Sequence, residues 1–157
     1  MNSSGFARFT VYSLLLLVVV TFSSSCVPGV DSPADRQLRL EVNDIANEIE
    51  QGMNGEDVNR LLAVVHDNYS PSKGDLRAEL RDIFRDHSQI TLELYAVNFN
   101  RANGEVNLTV NWNRRWREDG EIEPPTSGQT TFRLRKDSSD YLKIISQRGD
   151  ILLGKDN

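Results

Sequence analysis

Three sets of side chains in this sequence have the right groups for chemistry. His66-Asp67-Asn68-Tyr69 brings an imidazole, a carboxylate and a phenol within four positions. An acid–base site needs such groups: a base whose pKa burial moves toward neutrality, and a donor aimed at developing oxyanion charge. The same stretch, continuing to Pro71, reads equally well as an Asx or proline turn. His87 is a further candidate base at the end of an apolar-periodic segment. A helix C-terminus there would favour its cation, which suits a structural role as well as a catalytic one. Trp112, Arg114 and Trp116 alternate, so a strand would put all three on one face. Arg114 between two rings is a clamp for an anionic amphiphile, through charge and cation–π contact; the bland reading is an arginine that snorkels out to the acidic loop at 118–123.

Other chemistries are argued against. Two histidines and one cysteine give no zinc spacing. Glu41, Asp44 and Glu48 fall on one helical face with Arg36 and Arg39 nearby, a solvated stripe rather than a ligand set. GxGxxG, P-loop and GxSxG patterns are absent from the sequence, so neither a nucleotide cofactor nor a serine hydrolase site is expected, and no metal. A net charge of −5 makes nucleic acid a poor partner.

The elements that would position these groups follow from periodicity. Ser32-Pro33-Ala34-Asp35 opens a helix with a cap, a proline in its first turn and an acid close behind. Leu38, Val42, Ile45 and Ile49 form its stripe, and Gly52 is the expected end. A second helix is expected after Asn54, with Val58, Leu61, Leu62 and Val65 inward. A third is expected from an Asp75 cap, with Leu76, Leu80, Ile83, Phe84 and His87 on its stripe. From Ile90 the period changes to two. Ile90, Leu92 and Leu94 alternate, then Val97 and Phe99 take the opposite phase, the mark of a β-bulge after Tyr95-Ala96. Asn103-Gly104 is a hairpin turn, followed by Val106, Leu108, Val110 and Trp112 on one face of the best strand. Residues 118–129 read as a long acidic connection broken by two prolines. Strands at Phe132 and Leu134 and at Leu142 and Ile144 follow, and Ile151–Leu153 is an edge or a cover. Three helices before a mostly antiparallel curved sheet is an α+β layout with helices over the apolar sheet face.

The N-terminus carries a separate message. Residues 9–22 are a 14-residue apolar run behind Arg8, short for a membrane span but right for an export signal. Ser23-Ser24-Ser25 leads to Cys26, the one cysteine in the chain. This junction resembles that of bacterial lipoproteins at Ser24, Ser25 and Cys26, and departs from it at Ser23, where an aliphatic residue is usual. The resemblance implies cleavage before Cys26 and acylation there, and Val27 tilts sorting toward the outer membrane. Cys26 has no partner for a disulfide, which agrees with a modified sulfur. The expected division is a signal peptide over 1–25, a lipid-anchored tether over 26–33 and one domain over 34–157.

The order of elements over 34–153 resembles the NTF2-like (SnoaL-like, cystatin-like) cone. The landmarks are LLAVVHDNYS at 61–70, LRAELRDIF at 76–84, NLTVNWNRRW at 107–116 and TFRLRKDSSDYLKIIS at 131–146, with Leu142 where relatives often have Trp. These are packing landmarks, and the resemblance carries no catalytic residue onto this chain. Enzymes of the family use Asp/His or Asp/Tyr sets in the cone, which makes Asp67, Tyr69, His66 and His87 the weak catalytic candidates. Trp112, Arg114 and Trp116 are the ligand-binding candidates and Cys26 the lipidation site. The opposite sheet face bears Arg115, Arg117, Arg133, Arg135 and Lys143, a directed basic surface in an acidic protein that suits anionic headgroups or an envelope protein. The expectation is an outer-membrane lipoprotein facing the periplasm, held by its acyl chains, that binds a small amphiphile or an envelope partner without catalysis. A weak homodimer is the further partner expected, and a SnoaL-like dehydratase or isomerase acting on a hydrophobic molecule is the alternative function.

Overall fold

The computed structural model describes residues 32–154. The leader, Cys26 and the tether up to residue 31 lie outside the described residues, as does the side chain of Val97. A compact unit starts at Pro33. Its core, from Leu38 to Leu153, is closed within that unit, so a chain starting at Ser32 has what it needs to fold.

Helix α1 (Pro33–Asn54) buries Leu38, Val42, Ile45, Ile49 and Met53 along one stripe. It does not stop at Gly52. That residue is buried inside the helix because Leu61 packs against it; a Cβ there would lie 2.7 Å from Leu61 Cγ and Cδ2. The glycine is therefore a close-approach position between α1 and helix α2 (Val58–Ala63), which Asp57 caps through the Asn59 and Arg60 amides. Helix α3 (Lys73–Asp86) begins earlier than expected, because the Ser72 hydroxyl takes the Gly74 and Asp75 amides and leaves Asp75 in the first turn. Val65 is not helical either. It bridges to Ile144, and the His66 and Ser70 amides donate to the Ile144 and Ile145 carbonyls, which covers that edge of the sheet.

The strands are β1 (His87–Ala102), β2 (Glu105–Glu118), β3 (Glu121–Ile122), β4 (Thr126–Lys136) and β5 (Leu142–Gly149). They are antiparallel in the order β1-β2-β4-β5, with β3 on the far end of β2. The register between β1 and β2 slips between Tyr95 and Asn98, where the phase change predicts a bulge, and again between Ser88 and Thr91, beside Gln89 at φ 51°. The Asn103-Gly104 turn has both residues at positive φ. The expected long connection over 118–129 is instead a second tight hairpin. Asp119 and Gly120 turn at φ 50° and 87°, β3 pairs back on β2, and after Pro124-Pro125 the same return path becomes β4. The other edge of the sheet, along β1, is held to α1 by Asn54, whose side chain both donates to the Leu92 carbonyl and accepts from its amide. Leu152 and Leu153 are buried as a cover, without adding a strand.

Candidate functional site

The inward face of β2 reads Val106, Leu108, Val110, Trp112, Arg114, Trp116, and its first four members are buried core. Arg114 pairs with Thr126, the first residue of β4, so Trp116 lies beyond the shelter of β4 and β5. That overhang faces the end of α3, the start of β1 and the C-terminal cover. Ile83, His87, Ile90, Arg114, Trp116, Ile151 and Gly154 line a cavity of about 270 Å³ there that opens to solvent. Deeper in the cone Phe132, Leu134, Leu108 and Ile144 are fully buried.

The arginine is flanked as its spacing predicts. Its guanidinium carbon lies 4.3 Å from the Trp116 ring centroid and 5.4 Å from that of Trp112. The two rings have different duties, however. Trp112 is 4% exposed, and its Nε1–H donates to Thr130 Oγ1 at 2.9 Å while the Thr130 hydroxyl donates to the Asp150 carbonyl. That chain ties β2 to β4 and to the cover segment, so Trp112 is a core post behind the cavity wall. Trp116 is a wall residue. His87 joins it from another element, with ring centroids 5.1 Å apart and planes at 42°. His87 Nδ1 lies 3.8 Å from a Glu118 carboxylate oxygen, outside hydrogen-bond range. His87 Nδ1 and Trp116 Nε1 are buried without a hydrogen-bond partner among the described residues.

The remaining sequence candidates fall elsewhere. Asp67 is exposed and takes a hydrogen bond from Lys73 Nζ at 3.0 Å, which holds its carboxyl below the usual range and makes it a weak base. Tyr69 is buried under the α2–α3 connection, where burial raises its phenol pKa against the lowering effect of a Gln147 hydrogen bond. His66 Nδ1 accepts the Asn68 amide at 2.9 Å, a local turn bond. The structure therefore does not bring Asp67, Tyr69 and His66 into the cavity; of the four catalytic candidates only His87 reaches it. The Glu41, Asp44 and Glu48 stripe is likewise surface, with Glu48 bound to Arg60 at 2.7 and 3.0 Å.

The basic sheet face is also more self-contained than its sequence suggests. Arg133 and Arg135 converge on Glu105, at 2.7 and 2.5 Å, and depress its carboxyl pKa through those hydrogen bonds. Lys143 donates to the Ala63 carbonyl. The uncharged positions pair across the strands, Thr109 with Thr131 and Gln129 with Asn111. A wider groove of about 500 Å³ lies between the start of α1 and the β1–β2 hairpin. Its cations already have partners, Arg101 on the Ala34 carbonyl and Lys136 on Asp140. The Ile151–Leu153 segment, expected as an edge or a cover, is the cover and brings Ile151 to the cavity wall; sequence reasoning missed Gly154, since nothing in its spacing tells where the chain goes next.

No family model matches the chain, and no curated protein matches it in sequence. Solved structures do match. An NTF2-like superfamily protein from Salmonella enterica serovar Typhimurium superposes with a TM-score of 0.67 at 11% identity, over 78% of this chain and 94% of that one. ActVI-ORFA from Streptomyces coelicolor gives 0.59 at 17% identity, over 73% and 98%. A Nostoc punctiforme protein of unknown function with a cystatin-like fold gives 0.58 at 16%, over 71% and 88%. The α+β cone of residues 33–154 is thus an NTF2-like fold. At these identities the likeness carries the fold and not the activity.

Proposed function

We propose that this chain is a lipid-anchored cell-envelope protein whose NTF2-like domain binds a small anionic amphiphile without chemical turnover. One observation carries the binding site: Arg114 is stacked on Trp116 at the mouth of an apolar cavity of about 270 Å³. Charge held against an aromatic face beside isoleucine walls suits a ligand with one anionic and one apolar end. A binding role is favoured over turnover because, among the described residues lining the cavity, no Asp or Glu is found, and His87 has Glu118 too far away to orient it by a hydrogen bond.

The anchor rests on the placement of Cys26 behind the apolar run at 9–22. Three acyl chains on Cys26 would give stable attachment, which one chain does not. Mass spectrometry of the mature N-terminus tests it: an acylated Cys26 is expected, and an unmodified Cys26 or an intact Met1 contradicts it. The binding reading is tested by calorimetric titration of residues 32–157 with octanoate. Saturable binding that Arg114→Ala weakens by roughly tenfold or more is expected, from the loss of a charge-assisted contact. Binding that Arg114→Ala leaves unchanged contradicts this site.

A further inference from the structure

The charges of the domain are unevenly placed along the sheet. The start of α1, the β1–β2 tip and the β4–β5 tip meet at one pole, where Ala34 and Gln37 share a groove with Arg101, Asn103 and Lys136, and the Arg101 guanidinium donates to the Ala34 carbonyl. Resting on the anchored reading above, we infer that this pole docks on the anionic lipid surface that holds the anchor, so that the β2–β3 hairpin and the cavity beside it face away from the membrane.

Charge selects the pole. Residues 33–41, 101–105 and 133–143 hold seven cations and five acids, whereas the rest of 32–154 holds nine cations and sixteen acids. The exposed pairs Lys136–Asp140 and Arg101–Asp35 are already inside that balance. With Asp31 of the tether counted as well, the pole stays net positive while the remainder is strongly acidic. The opposite tip carries Glu118, Asp119, Glu121 and Glu123 with no cation between them. Each charge brought to an anionic lipid surface shifts its occupancy roughly fivefold, toward the surface for a cation and away from it for an acid. Tyr141 adds an apolar contact: it is exposed at the β4–β5 tip with Lys143 Nζ 5.8 Å from its ring, the amphipathic pairing that suits a headgroup layer. Reach excludes the inverted stance. Seven residues lead from Cys26 to Pro33, at most about 25 Å of extended chain. β2 runs 14 residues from Glu105 at the basic pole to Glu118 at the acidic tip, roughly 40 Å. A chain tethered at the start of α1 therefore cannot set the acidic tip on the same membrane. Because the tether makes docking intramolecular, a weak contact is enough to orient the domain.

The test uses residues 26–157, whose single cysteine lets Cys26 be coupled to a maleimide lipid in nanodiscs. The coupling makes the result independent of whether the cell acylates Cys26, which mass spectrometry of the mature N-terminus decides. Discs of phosphatidylglycerol and phosphatidylcholine in equal parts carry a trace of gadolinium-chelate lipid, and the broadening of backbone amide signals reports which residues lie at the surface. Broadening is expected at Ala102–Gly104 and Ser138–Tyr141 and not at Asp119–Ile122. In discs of phosphatidylcholine alone it should fall about fivefold or more at both tips. Arg36→Glu combined with Lys136→Glu should bring the same fall in the anionic discs, with a thermal melt to show that the variant is folded. Equal broadening of the tips in the two lipid compositions overturns the role of charge. Broadening centred on Asn111–Asn113 of the sheet face, or on the 119–122 tip, overturns the choice of pole. An unmodified Cys26 in the mature protein overturns the anchor, and the docking with it, by a separate measurement.

Discussion

Replacing Trp112 by Phe separates the two rings that flank Arg114 by duty, because it strikes the post and spares the wall. The substitution removes the Nε1–H donor to Thr130 Oγ1, a buried hydrogen bond whose loss costs about 1 kcal/mol. It also empties the space of the six-membered ring edge, which lies so close to Gly128 that a Cβ there would sit 2.6 Å from Trp112 Cζ2. Lost contacts and a small residual cavity add about 1–2 kcal/mol. The total is about 2–3 kcal/mol, which at a typical urea slope for a domain of this size lowers the unfolding midpoint by about 1–2 M. Thr130 keeps its bond to the Asp150 carbonyl, so the cover segment that carries Ile151 stays in place. Affinity for octanoate should accordingly change less than about twofold, since Phe still offers Arg114 an aromatic face. Urea titration followed by circular dichroism gives the first quantity and calorimetry the second. A variant as stable as the parent, or one that loses as much affinity as Arg114→Ala, would refute this division of labour.

Three further outcomes are expected. Val110→Asp puts an unpaired carboxylate at a fully buried position and should unfold the domain, whereas Asn111→Asp keeps an acceptor for Gln129 on the wet face and should cost under about 1 kcal/mol; equal urea midpoints would mean the strand phase is wrong. Gly52→Ala should destabilise by about 1 kcal/mol, the clash with Leu61 outweighing the gain in helix propensity, and in a Leu61→Ala background the same change should become neutral or stabilising in a double-mutant cycle. The arginines lower the Glu105 pKa in the folded state, so the clamp stabilises the fold above the ordinary carboxylate range and that contribution is lost as the pH falls through it; Glu105→Gln should show a shallower acid-side fall in urea midpoint between about pH 5 and pH 3, and an unchanged pH profile would contradict the clamp.

The sequence was most legible where a local rule acts alone. The period-two run from Val106 to Trp112, the bulge after Tyr95 and the Asn103-Gly104 turn each depend on neighbours a few residues away, and each is present. Misreadings occurred where a distant residue decides. Gly52 looks like a helix stop, but Leu61 requires it inside the helix; Val65 looks helical, but Ile144 draws it to the sheet. Asp119-Gly120 is a turn signal in its own right, and the two prolines that follow do not carry the chain away from β2. At the site, alternation placed Arg114 between two rings. It could not tell that Thr130 holds Trp112 in the core, that His87 at the start of β1 lies against Trp116, or which of an edge and a cover the segment at Ile151 forms. Those are tertiary contacts, and spacing does not encode them. The same limit let Arg133 and Arg135 read as a free basic surface while Glu105 binds both.

The central claim, that a small anionic amphiphile is bound in the cavity beside Arg114 and Trp116, has one direct measurement. The chain has two tryptophans, so a nitrogen–proton correlation spectrum shows two indole N–H signals, assigned by the loss of one in Trp116→Phe. On titration with octanoate, the Trp116 signal should move and saturate as the ligand packs against its ring, while the Trp112 signal, hydrogen-bonded to Thr130 in the core, stays nearly still. A Trp116 signal that does not move, or that drifts without saturating up to millimolar ligand, would contradict it.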